Sequence, residues 1–111
     1  MKITKDMFNN VIFPEHWLKE GAKPPNSVAK DNIFKLCQKI FDNYKLIPNR
    51  IASTIESGIF VVYEKNETEL IIETYNDGDV GIVVTKEKEI LHNEDIVHLD
   101  INNALKLFLE N

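Results

Sequence analysis

Apolar and polar positions along this chain change period close to Pro48. Ahead of it, Ala29, Ile33, Cys37, Ile40, Phe41 and Tyr44 recur at spacings of three and four, which lays them along one stripe of a helix. Lys23-Pro24-Pro25 leads into that stripe, and Asn26 or Ser27 offers a side-chain oxygen to the first free backbone N–H groups. The pattern predicts a helix over about 26–46 that stops before Pro48. Its outward positions carry Lys30, Lys35, Lys39 and Lys45.

Beyond Pro48 the period becomes that of strands. Arg50 to Glu56, Gly58 to Lys65, Thr68 to Asn76 and Asp79 to Glu87 are rich in β-branched and aromatic residues, separated by turn-forming pairs. Ser57-Gly58 reads as one turn and Asn66-Glu67 as another. Asp77-Gly78 is the strongest hairpin signal in the chain, because Asp-Gly tolerates the positive φ that a type I′ turn needs at both central residues. The charged stretch Lys86-Glu87-Lys88-Glu89 reads as a solvated connection, and Ile90 to His98 reads equally well as a short edge strand or a loop. A short closing helix over about 100–110 is expected from Ile101, Ala104, Leu105 and Phe108, with Asp100 as N-cap and Leu99 packing on Ala104 as a staple.

The fold class is therefore α+β: one domain over 1–111, an N-terminal helix on a four- to five-stranded antiparallel meander of about 50–98, then the short C-terminal helix. Two-residue turns set an expected register. Asn66-Glu67 pairs Tyr63 with Leu70, Val61 with Ile72 and Phe60 with Glu73, while Asp77-Gly78 pairs Tyr75 with Val80, Glu73 with Ile82 and Ile71 with Val84. One face then holds Ile59, Val61, Tyr63, Leu70, Ile72 and Val83; the other holds Phe60, Val62, Ile71, Glu73, Tyr75, Val80, Ile82 and Val84. Both are apolar, so each needs a cover. The long helix supplies one, and the C-terminal helix is available for the rest; what its roughly ten residues do not shield falls to the segment around Phe8, Val11, Ile12, Phe13 and Trp17, to a second copy of the chain, or to a partner.

Composition narrows the class. At 43% hydrophobic and 28% charged residues, the chain is too apolar for a disordered segment and is expected to pack a core. Met1 to Asn10 offers no apolar stretch of the kind that directs secretion, and the longest apolar run, Gly58 to Tyr63, is far short of a membrane span, so the expectation is a cytoplasmic protein with no membrane association. One cysteine rules out an internal disulfide. Charge is uneven: residues 1–50 carry nine Lys/Arg against five Asp/Glu, and residues 51–111 carry four against thirteen, net +4 and −9 respectively. The acidic second segment argues against nucleic acid there and favours a basic protein partner.

Candidate chemistry is sparse. His92, Glu94, Asp95, His98 and Asp100 are metal-ligand types close in sequence, but their spacing matches no established metal motif. His16 beside Glu15 and Trp17 has the parts of a general base with an aromatic wall; a tryptophan before Gly21-Ala22-Lys23-Pro24-Pro25 more simply pins an irregular segment to the core. Cys37 falls on the apolar helical stripe, where burial raises a thiol pKa and blocks access. Ser53-Thr54 has no nucleophile-elbow context, and the four glycines write neither a phosphate loop nor a dinucleotide fingerprint, so no cofactor, no metal and no catalytic residue is expected. Glu73 is the residue the register singles out, a carboxylate between Phe60 and Ile82 that calls for a raised pKa or a paired cation.

The chain also resembles a loose group of small bacterial proteins without assigned activity. The likeness spans about residues 16–85 and rests on Trp17, Gly21-Ala22-Lys23-Pro24-Pro25, a helix from Ser27, Ile47-Pro48-Asn49-Arg50-Ile51, Glu56-Ser57-Gly58-Ile59 and Ile72-Glu73-Thr74-Tyr75-Asn76-Asp77-Gly78. Ser57 stands where the commoner residue is a first glycine. The resemblance implies a bacterial or phage protein with a helix on an antiparallel meander, and it transfers no catalytic residue.

These readings lead to an expectation of a protein-binding module of the antitoxin, immunity or phage-inhibitor kind, not an enzyme, that meets another protein or a second copy of itself through Phe60, Val62, Glu73, Tyr75 and Ile82. The alternatives are a small metal- or carboxylate-dependent hydrolase or nuclease using Glu73 and a histidine, and a nucleic-acid binder using the lysines of the first helix.

Overall fold

Asn26 starts the long helix as its sequence suggests. In the computed structural model, which describes residues 2–96 and 99–111, the Asn26 side chain accepts a hydrogen bond of 3.0 Å from the Ala29 amide and α3 runs Ser27–Tyr44. It is preceded by two single-turn helices, α1 (Asp6–Asn9) and α2 (His16–Lys19), and followed by β1 (Arg50–Thr54), β2 (Gly58–Lys65), β3 (Thr68–Tyr75), β4 (Val80–Lys86), β5 (Glu89–Ile96) and α4 (Asn102–Glu110). The strands form one antiparallel sheet in the order β1-β2-β3-β4-β5, a meander in which every connection is a tight turn. The expected α+β architecture is the observed one, with the segment left open as strand or loop forming a fifth strand through Ile96; Val97 and His98 lie outside the described residues.

Turn chemistry sets the registers. Asn66 and Glu67 both have positive φ (49° and 64°), as do Glu87 and Lys88 (51° and 69°), the signature of two-residue type I′ turns. The first of these pairs Tyr63 with Leu70, Val61 with Ile72 and Phe60 with Glu73, as expected. The second makes a hairpin of the charged stretch that the sequence suggested was only a solvated connection.

The Asp77-Gly78 hairpin forms with a different turn. Only Gly78 has positive φ (98°); its amide bonds to the Tyr75 carbonyl at 2.9 Å, and the Tyr75 amide bonds to the Asp79 carbonyl at 2.9 Å. The loop is thus three residues, Asn76-Asp77-Gly78, with the left-handed residue forming a bulge. One extra loop residue shifts β4 by one position: Thr74 pairs with Val80, Ile72 with Ile82 and Leu70 with Val84. The expected placement of Val80, Ile82 and Val84 beside Phe60 and Tyr75 is corrected, since all three point to the opposite face, where they are 2%, 0% and 0% exposed. Two causes favour this register. It exchanges Gly81, Val83 and Thr85 for Val80, Ile82 and Val84 on the buried side, a net gain of about two aliphatic side chains, or roughly 3–6 kcal/mol. It also frees Asn76 for the loop, where its amide bonds to the Ser57 carbonyl at 2.9 Å and its side chain bonds to the Asn26 amide and Pro24 carbonyl, each at 2.9 Å.

The C-terminal helix, expected to serve the second sheet face, is corrected: α4 packs beside α3 on the same side. Ile59, Val61, Tyr63, Leu70, Ile72, Val80, Ile82 and Val84 meet Ala29, Ile33, Leu36, Cys37 and Ile40 of α3 and Ala104, Leu105 and Phe108 of α4. Thr74 Oγ1 donates to the Ala29 carbonyl at 2.7 Å across this interface. Ile3 and Phe8 of the N-terminal segment join the same core, and Phe8 meets Phe34 of α3 edge-on at 6.2 Å. Further along, Ser53 Oγ donates to the Ile12 carbonyl, which ties this segment to the β1 edge. Ile3 and Phe8, with Met7 and Val11 partly buried beside them, thus extend the helical layer, while Ile12 runs along the β1 edge.

Two lysines close the layer at its far end. Lys65 Nζ donates to the Leu109 carbonyl at 2.7 Å and Lys86 Nζ to Asn111 Oδ1 at 3.3 Å, placing cations at the negative end of α4. At its start the expected N-cap is corrected: α4 begins at Asn102 with Ile101 as its N-cap and no side-chain cap, and the Asp100 carboxylate, one residue earlier, accepts from the Asn102 amide at 3.0 Å in a local turn.

Candidate docking surface

The sheet face away from the helices is built of four rows that cross the strands. Pairing places Arg50, Val62, Ile71, Val83 and Asn93 in one row and Ala52, Phe60, Glu73, Gly81 and Asp95 in the next. Glu64, Glu69, Thr85 and Ile90 form the row on one side, and Thr54, Gly58 and Tyr75 the row on the other. The centre is apolar. Its flanks are acidic.

Of the residues expected to bind, Phe60, Val62, Glu73 and Tyr75 share this face. Ile82 does not: it is fully buried under the helices, for the register reason given above. Ile71 and Val83 take its place beside Val62, and both are half-buried. Val83 had been assigned by the two-residue turn to the helical side, so only the three-residue loop reveals it. Val62 is the best shielded of the row at 6% exposure, flanked by Arg50 and Ile71.

Polar groups on this face are held in place. The Tyr75 hydroxyl donates to Glu73 Oε2 at 2.6 Å, two positions apart on the same side of β3. Burial first, then the neighbouring Glu73 carboxylate and the more distant charges of Glu56 and Asp95, raise the Tyr75 phenol above the ordinary tyrosine range. The expected environment of Glu73 is corrected too: its cross-strand neighbours are Phe60 and Gly81, and among the described residues its partner is a phenol, not a cation. Arg50 lies over the Phe60 ring, 5.2 Å from its centroid. Thr85 Oγ1 donates to Glu69 Oε1 at 3.2 Å.

Gly58 sits at the turn end of this face because a side chain has no room there. A Cβ would lie 2.2 Å from the Thr74 carbonyl oxygen. Beside it, Ser57 adopts φ 67°, the left-handed position that glycine usually fills, and is held there as its hydroxyl accepts from the Lys23 amide at 3.0 Å.

The groups suggested as metal ligands diverge. His92 and Glu94 point to the helical side of β5, with His92 Nε2 3.2 Å from Glu94 Oε1 but outside hydrogen-bonding geometry; Asp95 points to the open side, Asp100 accepts from the Asn102 amide ahead of α4, and His98 lies outside the described residues. Among the described residues, no three or more His, Cys, Asp or Glu side chains are grouped to hold a metal ion. His16 meets the edge of Trp17 at 6.3 Å, and the Trp17 ring packs edge-on against Phe13 at 5.5 Å. Cys37 lies in the core against Tyr63, and burial pushes its thiol up to about 12. Among the described residues, no helix is long and apolar enough to cross a membrane.

No protein-family model, curated protein or solved structure matches this chain.

Proposed function

We propose that this protein is a small binding module that docks a partner protein on the open face of its sheet, in the manner of an antitoxin, an immunity protein or a phage-encoded inhibitor. The observation that carries the reading is the row Val62, Ile71 and Val83, apolar and bordered by carboxylates, on a sheet whose core-forming helices α1, α3 and α4 lie on the other side. Buried anchors in such a patch supply binding energy, while the charges around it set orientation and association rate. The net −9 of residues 51–111 favours a basic partner. A cytoplasmic setting belongs to the same reading, supported by a single cysteine that sits in the core and needs no oxidising compartment.

The test uses the product of the adjacent gene in the native host, since small inhibitors are often encoded beside their targets. Co-expression with that product should give a stable complex in gel filtration, lost with Ile71→Asp or Val83→Asp and retained when Lys35 and Lys39 of α3 are reversed to Glu. A complex that survives both open-face variants, or a chain that stays monomeric beside its neighbour, would overturn the proposal. A dimer of this chain alone, broken by Ile71→Asp, would replace the partner with a second copy.

A further inference from the structure

The arrangement of the open face specifies more than a generic partner. Neighbouring strands lie about 4.8 Å apart, so Val62, Ile71 and Val83 mark a line of three apolar side chains roughly 10 Å long. Along each strand, two residues advance about 7 Å, which puts Glu64 and Glu69 on one side of the line and Glu73 and Asp95 on the other, some 13 Å from row to row. The face is an apolar line between two acidic borders.

One secondary structure matches these spacings on both axes. An α-helix advances 5.4 Å per turn, close to the strand spacing, so residues at i, i+4 and i+7 would fall on successive strands; its diameter of about 10–12 Å brings its flanks over the acidic rows. We infer that the partner presents an amphipathic helix with a narrow apolar stripe and Lys or Arg on both sides of it, laid across the strands along Val62, Ile71 and Val83. This rests on the docking reading above and names the chemistry of the occupant. Long basic side chains can bury their stems beside Phe60 and Ile71 while their charged ends reach the carboxylates. A second copy fits poorly, since apposing two such faces brings four carboxylates against four with Arg50 as the central cation. An extended segment would meet one border at a time.

The probe is a synthetic 14-residue helical peptide with leucines at i, i+4 and i+7 and lysines on both flanks, titrated into the full chain by calorimetry, with peptide helicity followed by circular dichroism. Binding should be at least tenfold tighter than for a scrambled peptide of the same composition and should raise the peptide's helicity. Ile71→Asp should weaken it at least tenfold, and the paired exchange Glu69→Gln and Asp95→Asn should weaken it three- to tenfold while flattening its salt dependence. The polar pair keeps the test informative if Ile71→Asp unfolds. Equal binding of the scrambled peptide, or no gain in helicity, would overturn the helix inference. If that happens while the neighbouring gene product still requires Ile71, the docking reading survives with a different occupant; indifference of both to Ile71 removes both.

Discussion

Along β3, the side chains of Leu70, Ile72 and Thr74 are sealed in the core, whereas those of Ile71, Glu73 and Tyr75, each one residue further on, stay half-exposed. The strands on either side repeat the contrast, with Ile59 against Phe60 and Ile82 against Val83. Residue type does not separate the two faces at their centres, where both carry Val and Ile. Position in the register does. On the covered side, each aliphatic group contributes about 1.5–3 kcal/mol by leaving water, while on the open side the same chemistry is kept available beside Arg50, Glu69, Glu73 and Asp95. A protein that needs only to be stable gains by covering both faces. This one commits α1, α3 and α4 to one of them.

The sharpest way to break the comparison is to place a charge on adjacent residues of β4. Ile82→Asp should cost more than about 4 kcal/mol, enough to unfold the domain, because it buries a carboxylate without a partner. Val83→Asp should stay within about 1 kcal/mol. Urea unfolding of the two variants reads the register directly, and the reverse order would restore the two-residue turn and move Val80, Ile82 and Val84 to the open side.

Two glycines on the open face offer a second contrast. Gly58→Ala should destabilise by about 2–3 kcal/mol, since its Cβ would overlap the Thr74 carbonyl. Gly81→Ala should change stability by less than about 1 kcal/mol, as its Cβ would meet only Asp95 Oδ1 at 3.7 Å and the Tyr75 hydroxyl at 4.0 Å. Thermal unfolding distinguishes a closed backbone approach from open space.

The covered side should also respond to alkali. Cys37 keeps its proton to about 12 when folded, against 9.0 for an ordinary thiol, so above pH 9 the unfolded chain binds fewer protons and stability falls as pH rises. Cys37→Ala should flatten that decline between pH 9 and 12, measured by urea unfolding across the range. An unchanged slope would assign the whole decline to other groups, among them Tyr63, whose phenol is raised chiefly by burial.

The smallest effect concerns the turns. Glu67→Gly should stabilise by about 0.5 kcal/mol, because it relieves a side chain at φ 64° and makes the favoured Asn-Gly pair. A loss of stability would mean that Glu67 contributes a contact beyond its turn.

What could be read in the chain follows the range of the interactions involved. The α3 cap, its buried stripe and the β2–β3 register were legible, because Asn26, the three-and-four spacing and the Asn66-Glu67 pair act within a few residues of themselves. Phe60, Val62, Glu73 and Tyr75 were correctly placed on one face for the same reason. Ile82 was misplaced because Asp77-Gly78 suits a two-residue and a three-residue loop equally well by local chemistry. Choosing between them required Pro24, Asn26 and Ser57, distant in sequence, to bind Asn76, and required the helices to bury Val80, Ile82 and Val84.

By itself, then, the sequence determined α3, β1 to β4, α4, the antiparallel meander and the presence of apolar residues on both sides of it, all consequences of short-range periodicity. Tertiary structure alone decided which aliphatic residues of β4 face the open side, that β5 pairs as a full strand, that α1 and α2 form, and that α4 joins α3 on one face. A strand changes face with a single added loop residue. That choice is made by hydrogen bonds and burial across the whole fold.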